Sequence, residues 1–205
     1  MSMKKKNGFT TLHIAAIENS KETSELLLSH GANVNEKDED GETALHKAAI
    51  ENSKETSELL LSHGANVNEK NKYRFTALHI ASYKNRKEAT EVLLSHGANV
   101  NEKDKDGETA LHIAVDKNRK ETSELLLLHG ANVNEKDKYG ETALHIAAYK
   151  NSNETTELLL LHGANVNEKD KDVGTALHIA AIENSKETSE LLLLHVQMSM
   201  KKIKM

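Results

Sequence analysis

Twelve His residues stand among the 205 of this chain, beside 32 Asp plus Glu and without a single Cys, Pro or Trp. His and carboxylates are the side chains of general acid–base catalysis and of zinc sites, so their spacing decides whether either chemistry is available. Six are His13, His46, His79, His112, His145 and His178, and the other six are His30, His63, His96, His129, His162 and His195. Within each set the step is 33 residues. Nearly every Ser, Asp and Glu also recurs with that step, whereas catalysis needs a nucleophile, a base and an orienting group in one asymmetric cluster. Equivalent His on neighbouring packed helices stand roughly 8–10 Å apart, too far to share one ion. The chain has neither an H-E-x-x-H pair nor a phosphate-cradling Gly-rich loop. The expectation is a protein with no catalytic residue, no metal and no cofactor. Charging all twelve His would move the formal charge from −5 to +7. Stability is therefore expected to be acid-sensitive below about pH 6.

The elements that position these side chains repeat as well. Thr-Ala-Leu-His occurs at Thr43–His46, Thr76–His79, Thr109–His112, Thr142–His145 and Thr175–His178, with Thr-Thr-Leu-His at Thr10–His13. Read as an array, the chain has a basic N-terminal segment (1–4), repeats at about 5–37, 38–70, 71–103, 104–136, 137–169 and 170–195, and a C-terminal segment (196–205) that is either a basic, Met-rich tail or an extension of the last helix. In the second copy, Thr43 is a natural N-cap for a short helix from Ala44 to about Glu51, narrow enough for close neighbours. Asn52, in a column that is Asn in all six copies, tolerates the left-handed conformation that closes a helix. With Glu55 it is also placed to open the next helix as a capping box. That helix runs from about Ser53 to Ser62 and is expected to bury Leu59, Leu60 and Leu61. Gly64 ends it, and Ala65–Asn68 starts an extended connection to an Asp-x-x-Gly turn.

Composition narrows the function classes. Hydrophobic residues make up 37% and aromatics 3%, below the usual 45–50% apolar content of a globular domain. A one-dimensional stack needs only a thin apolar seam shared between neighbours, and Ala and Leu supply it in every copy. The net charge of −5 argues against a nucleic-acid or acidic-membrane binder. The longest apolar runs are about four residues, so no membrane insertion is expected. The absence of Cys fits a reducing, cytoplasmic (intracellular) setting.

G-x-T-A-L-H-x-A-A followed by E-L-L-L-x-H-G-A-N-V-N at a 33-residue period resembles the ankyrin repeat, with T-P-L-H as its characteristic tetrad. The resemblance covers all six copies. It implies an all-α repeat solenoid of helix-turn-helix units with β-turn fingers, and a tetrad His that hydrogen-bonds within and between units. It also implies that the finger and first-helix columns face a concave groove where partners bind. Ala or Thr replaces the tetrad Pro, a loss of about 0.4–1 kcal/mol per copy through the missing φ constraint. Thr-Ser or similar pairs replace two aliphatics and thin the second helix's packing.

The copies disagree where a partner would touch. All six aromatics fall in three columns: Tyr73 and Tyr139 in the finger, Phe9 and Phe75 before the tetrad Thr, Tyr83 and Tyr149 late in the first helix. The late-helix columns also hold Asp116 and the Lys84, Lys117, Lys150 series, with Glu in the other copies. Arg74 occupies a Gly column that calls for positive φ, and Val173 occupies it in the last copy, whose finger is expected to be rebuilt. The candidate partner-binding residues are thus Tyr73, Arg74, Phe75, Tyr83, Lys84, Asp116, Lys117, Tyr139, Tyr149 and Lys150, the third finger foremost. The expected function is a non-catalytic, mostly monomeric scaffold for an unidentified protein or peptide. The alternative is an array that self-associates end to end through uncapped terminal repeats.

Overall fold

The computed structural model describes the backbone of residues 8–203 and the side chains through Met198. The basic N-terminal segment (1–4) lies outside the described residues, as do the side chains of most of the Met-rich tail (199–205). The described residues form twelve helices and no strand. The chain divides into two compact units, Met1–Lys105 and Asp106–Met205. The first unit holds α1 (Thr11–Ile17), α2 (Lys21–Ser29), α3 (Ala44–Glu51), α4 (Lys54–Ser62), α5 (Ala77–Lys84) and α6 (Lys87–Ser95). The second holds α7 (Ala110–Asp116), α8 (Lys120–Leu128), α9 (Ala143–Tyr149), α10 (Asn153–Leu161), α11 (Ala176–Ile182) and α12 (Lys186–Ile203). Odd and even helices pair, and in each unit first helices pack on first helices and second on second.

Small residues permit this close stacking. Ala48, Ala49, Ala81, Ala114, Ala147 and Ala148 are fully covered, around Leu45, Leu78, Leu111 and Leu144. In α4 only Leu60 is fully buried, while Leu59 and Leu61 are half-buried. Three consecutive residues fan across about 200° of a helix, and in α4 the seam encloses only the middle one, whereas in α6 Val92, Leu93 and Leu94 are all buried. Thr56 and Ser57 fill the remaining inner positions, with Ser57 Oγ donating to the Ser53 carbonyl at 2.7 Å and Thr56 Oγ1 to Asn19 Oδ1 at 3.0 Å. These bonds satisfy hydroxyls where aliphatics would have needed none.

The Asn column has positive φ throughout, from 49° to 60°. It does not, however, start its own second helix: the N-cap of α4 is Ser53, which makes no side-chain cap bond. Asn52 instead reaches into the next pair, with Oδ1 accepting from Ala89 N–H at 3.1 Å and Nδ2 donating to Glu88. Its capping function is exported to a neighbour.

Four fingers are each clamped by one side chain. Asp38 Oδ1 accepts from the amides of Asp40 (2.9 Å) and Glu42 (2.8 Å), and Asn71, Asp137 and Asp170 repeat the clamp. The last finger is not rebuilt. Val173 takes the glycine conformation at φ 65°, as Arg74 does at 64°, because the Asp170 clamp holds the turn regardless. Successive fingers are joined by Lys72 N–H to the Asp40 carbonyl (2.9 Å) and Lys171 N–H to the Tyr139 carbonyl (2.9 Å). Below them, Asn66 N–H donates to Asn35 Oδ1 (2.8 Å), Asn99 N–H to Asn68 Oδ1 (2.8 Å) and Asn165 N–H to Asn134 Oδ1 (2.7 Å).

The tetrad His carries the central contact. Its Nδ1 accepts from the backbone N–H of the tetrad Thr at 3.1–3.3 Å in all six copies, while that Thr also caps the helix. His thus takes the place of Glu in a capping box. Nε2 then donates to a carbonyl in the following finger: His13 to Glu42 (2.9 Å), His46 to Phe75 (3.2 Å), His112 to Glu141 (3.3 Å) and His145 to Gly174 (3.4 Å). An Nδ1 that accepts and an Nε2 that donates require the neutral ring.

Burial accordingly lowers the proton affinity of His13, His46 and His145, against the pull of their carbonyl partners. The second His set is built differently: His63 Nδ1 donates to the Leu59 carbonyl at 2.9 Å and the ring is exposed. Acid sensitivity therefore attaches to the buried tetrad rings His13, His46 and His145. As pH falls through 6.5 the unfolded chain takes up protons that these three folded rings refuse, so their contribution to stability is complete above that pH and declines below it. The lowered carboxylates start from ordinary values of 4.5 or less, so they enter only at lower pH. Urea unfolding at fixed temperature should show a constant midpoint between about pH 8 and 7 and a falling one toward pH 5. A midpoint unchanged to pH 5 would contradict the neutral, buried tetrad.

Candidate partner-binding surface

The finger turns and the late turns of the first helices carry all four tyrosines, and all four rings are exposed: Tyr73 57%, Tyr83 47%, Tyr139 56% and Tyr149 60%. Each has a lysine ammonium over its face. Lys105 lies 5.4 Å from the Tyr73 centroid, Lys84 5.7 Å from Tyr83, Lys138 4.8 Å from Tyr139 and Lys150 5.7 Å from Tyr149. Such contacts restrain a large ring in solvent without burying it.

The two phenylalanines behave differently from the tyrosines. Phe9 stacks on His13 at 5.8 Å and Phe75 on His79 at 5.7 Å, both nearly parallel and half-buried. They brace the tetrad, so these two aromatics are not wholly surface residues. Tyr73 leans over Phe75 with centroids 6.5 Å apart, giving the third finger a layered series His79, Phe75, Tyr73, Lys105. Arg74 projects beside it, exposed, on its strained backbone.

In the second compact unit, Asp116 joins two other predicted residues. Its carboxylate meets Lys117 at 2.8 Å and Lys150 at 2.9 Å, and these contacts outweigh burial and hold its pKa below the usual value. Lys138 pairs with Asp106 at 2.6 Å, which raises its pKa. Predicted residues therefore assemble as Tyr73–Phe75 and Tyr83–Lys84 in one unit, and as Asp116–Lys117–Lys150–Tyr149 in the other.

One buried charge escaped the sequence reading. Lys47 stands in a column otherwise filled by Ile14, Ile80, Ile113, Ile146 and Ile179, and that substitution was its only signal. Its ammonium is 2.8 Å from Asp38 Oδ2, pairs with Glu42 and sits 4.6 Å above the Phe9 ring. Burial alone would lower its pKa, but the bonds to Asp38 and Glu42 prevail and raise it. Where Ile146 replaces it, burial pushes the pKa of Glu141 upward, with Asp137 and Asp170 adding to the effect.

A family model described as ankyrin repeats, three copies, matches residues 1–71, 68–137 and 126–202. The chain belongs to the ankyrin repeat family. No curated protein matches it significantly. Its fold is thus the all-α ankyrin solenoid, in a family that serves protein–protein interaction. No helix among the described residues is long and apolar enough to cross a membrane.

The Lys47 cluster gives a test of how this ankyrin stack treats charge. Asp137 keeps its finger clamp opposite Ile146 without a cation, so Lys47→Ile should preserve the fold and cost no more than about 1 kcal/mol, the restored Ile packing offsetting the cation lost from Asp38. Lys47→Ala leaves a cavity beside Asp38 and should cost about 1–3 kcal/mol. Equal, large losses in both, by urea unfolding at pH 7.5, would show that the ion cluster itself sustains the stack.

Proposed function

We propose that this protein is a non-catalytic interaction module of six ankyrin repeats that holds a protein or peptide against its finger and first-helix face. One observation carries the reading: every tyrosine lies on that face, solvent-exposed, with a cation over the ring. Exposed, pre-positioned aromatic rings lose little side-chain entropy on contact and are the residues most enriched among binding hot spots. Among the described residues the second helices offer no exposed aromatic ring, their exposed apolar side chains including Leu26, Leu128 and Leu161 toward the C-terminal ends. The second helices present Lys and Glu such as Lys120 and Glu154, 2.8 Å apart and solvated, and exposed pairs of this kind contribute little. Tyr73, Arg74, Tyr83, Lys84, Tyr139, Tyr149 and Lys150 are the proposed contacts, with Phe75 beneath Tyr73 and with Asp116 and Lys117 setting the position of Lys150. An intracellular setting belongs to the same proposal, supported by the Cys-free sequence.

A second reading rests on the last helix pair. Leu193 is 45% exposed where Leu160 is 7% exposed, and His178 is exposed where His145 is covered. End-to-end association through this surface would make mass grow with concentration in light scattering.

The main proposal is tested by capturing a partner from lysate and mapping protection from tyrosine-selective labelling. The expected result is reduced labelling of Tyr73, Tyr83, Tyr139 and Tyr149, with exposed side chains of the second helices unaffected. Unchanged tyrosine labelling alongside protection of the second helices would overturn it.

A further inference from the structure

The third finger differs from the others in a consistent electrostatic direction. Asp38–Glu42 carries a formal charge of −4 and Asp104–Glu108 −2, whereas Asn71–Phe75 carries +2. Three acids of the Asp-x-Asp-Gly-Glu pattern have become Asn71, Tyr73 and Phe75, and the Gly has become Arg74. In the same copy Lys84 stands where Glu18, Glu51 and Glu183 stand elsewhere. These changes could have been neutralised by neighbours, as charge is at other places in this unit. Lys37 pairs with Glu69 at 2.7 Å, Lys47 with Asp38 at 2.8 Å, and Lys70 with Glu102. Lys72, Arg74, Lys84 and Lys105, all exposed, have no ion pair with a described carboxylate. Lys84 and Lys105 face tyrosine rings instead.

Arg74 is also held there at a cost. It adopts φ 64°, and a Cβ at the equivalent Gly41 would meet the backbone nitrogen of the next finger's Lys72 at 3.1 Å. Glycine would relieve the φ strain.

Building on the finger-face reading, we propose that the third finger and the end of α5 bind an acidic peptide segment of a partner protein. Its carboxylates meet Lys72, Arg74, Lys84 and Lys105, and an apolar side chain packs along the exposed edges of the Tyr73 and Tyr83 rings. Charge complementarity selects this occupant. The chain as a whole is at −5, so an extended polyanion such as nucleic acid is repelled by most of the surface. A short acidic segment senses mainly the charges within a Debye length of about 8–10 Å, and around Tyr73 and Tyr83 these include the four exposed cations Lys72, Arg74, Lys84 and Lys105 as well as Asp40 of the preceding finger. Arg74 offers the planar fork that carboxylates accept bidentately.

The test uses the full chain and fluorescein-labelled peptides of equal length: an acidic one containing Asp, Glu and Leu, a basic counterpart with Lys and Arg, and a single-stranded oligonucleotide of matching charge. Anisotropy should show binding of the acidic peptide at least about tenfold tighter than of either other probe, weakening steeply with salt. Lys72→Glu, Arg74→Gly and Lys84→Glu install residues that the second copy already carries at Glu39, Gly41 and Glu51, so the fold is retained, and together they should abolish that preference. Lys54→Glu with Lys87→Glu, on the second-helix side, makes a comparable charge change and should leave it intact. Equal binding of the oligonucleotide, no preference for the acidic peptide, or the same loss in the second-helix variant would overturn the proposal. Failure here, with the tyrosines still protected by a captured partner, would remove only the acidic class and leave the finger-face reading standing.

Discussion

Everything in this stack depends on one imidazole that is bound at both nitrogens. The tetrad His accepts the Thr N–H of its own helix start through Nδ1 and donates to the next finger through Nε2, as His46 does between Thr43 and Phe75. The first bond ends a helix's unmet hydrogen-bonding demand and the second fixes where the neighbouring finger lies. Because a ring cannot rotate to satisfy one partner without losing the other, helix capping and repeat register are a single constraint. Buried and neutral, the ring also sets the pH range over which that constraint holds.

Other links follow the same logic of solving two problems with one side chain. Asn52 closes α3 with its backbone and caps α6 with its side chain. The Asn35–Asn66 contact straightens one connection and ties it to the next. Ala columns let the helices come close enough for these short side chains to reach. A chain poor in large apolar residues is thereby joined, within each unit, through polar bonds that recur from copy to copy, and its tyrosines are released from core duty. The tyrosines are free to face solvent, while Phe9 and Phe75 remain as braces for the tetrad rings.

The period, the helix pairs, the left-handed Asn and the capping Thr were legible in the sequence because each is a local preference repeated in register. Contacts between columns were not. A 33-residue period shows that Asn52, Glu88 and Ala89 recur, but not that they meet across the stack. Leu59 and Leu61 misled for a related reason: apolar character does not reveal how narrow the shared seam is. Val173 misled because the Asp170 clamp, which outweighs its local strain, becomes visible only with the turn's geometry. For the candidate surface, the aromatic columns were legible and their environments were not. Nothing in the sequence distinguishes Phe75, stacked on His79, from Tyr73 above it, and Lys47 showed only as a misplaced charge in an Ile column.

The claim that doubly bound neutral imidazoles define the stack is open to direct observation. Long-range proton–nitrogen correlation spectra at neutral pH report the tautomer of each His ring. The structure requires His13, His46, His112 and His145 to hold a single Nε2–H tautomer with a slowly exchanging proton, while His63, hydrogen-bonded through Nδ1–H, shows the opposite one or an average. Averaged or protonated tetrad rings at that pH would contradict the account at its root.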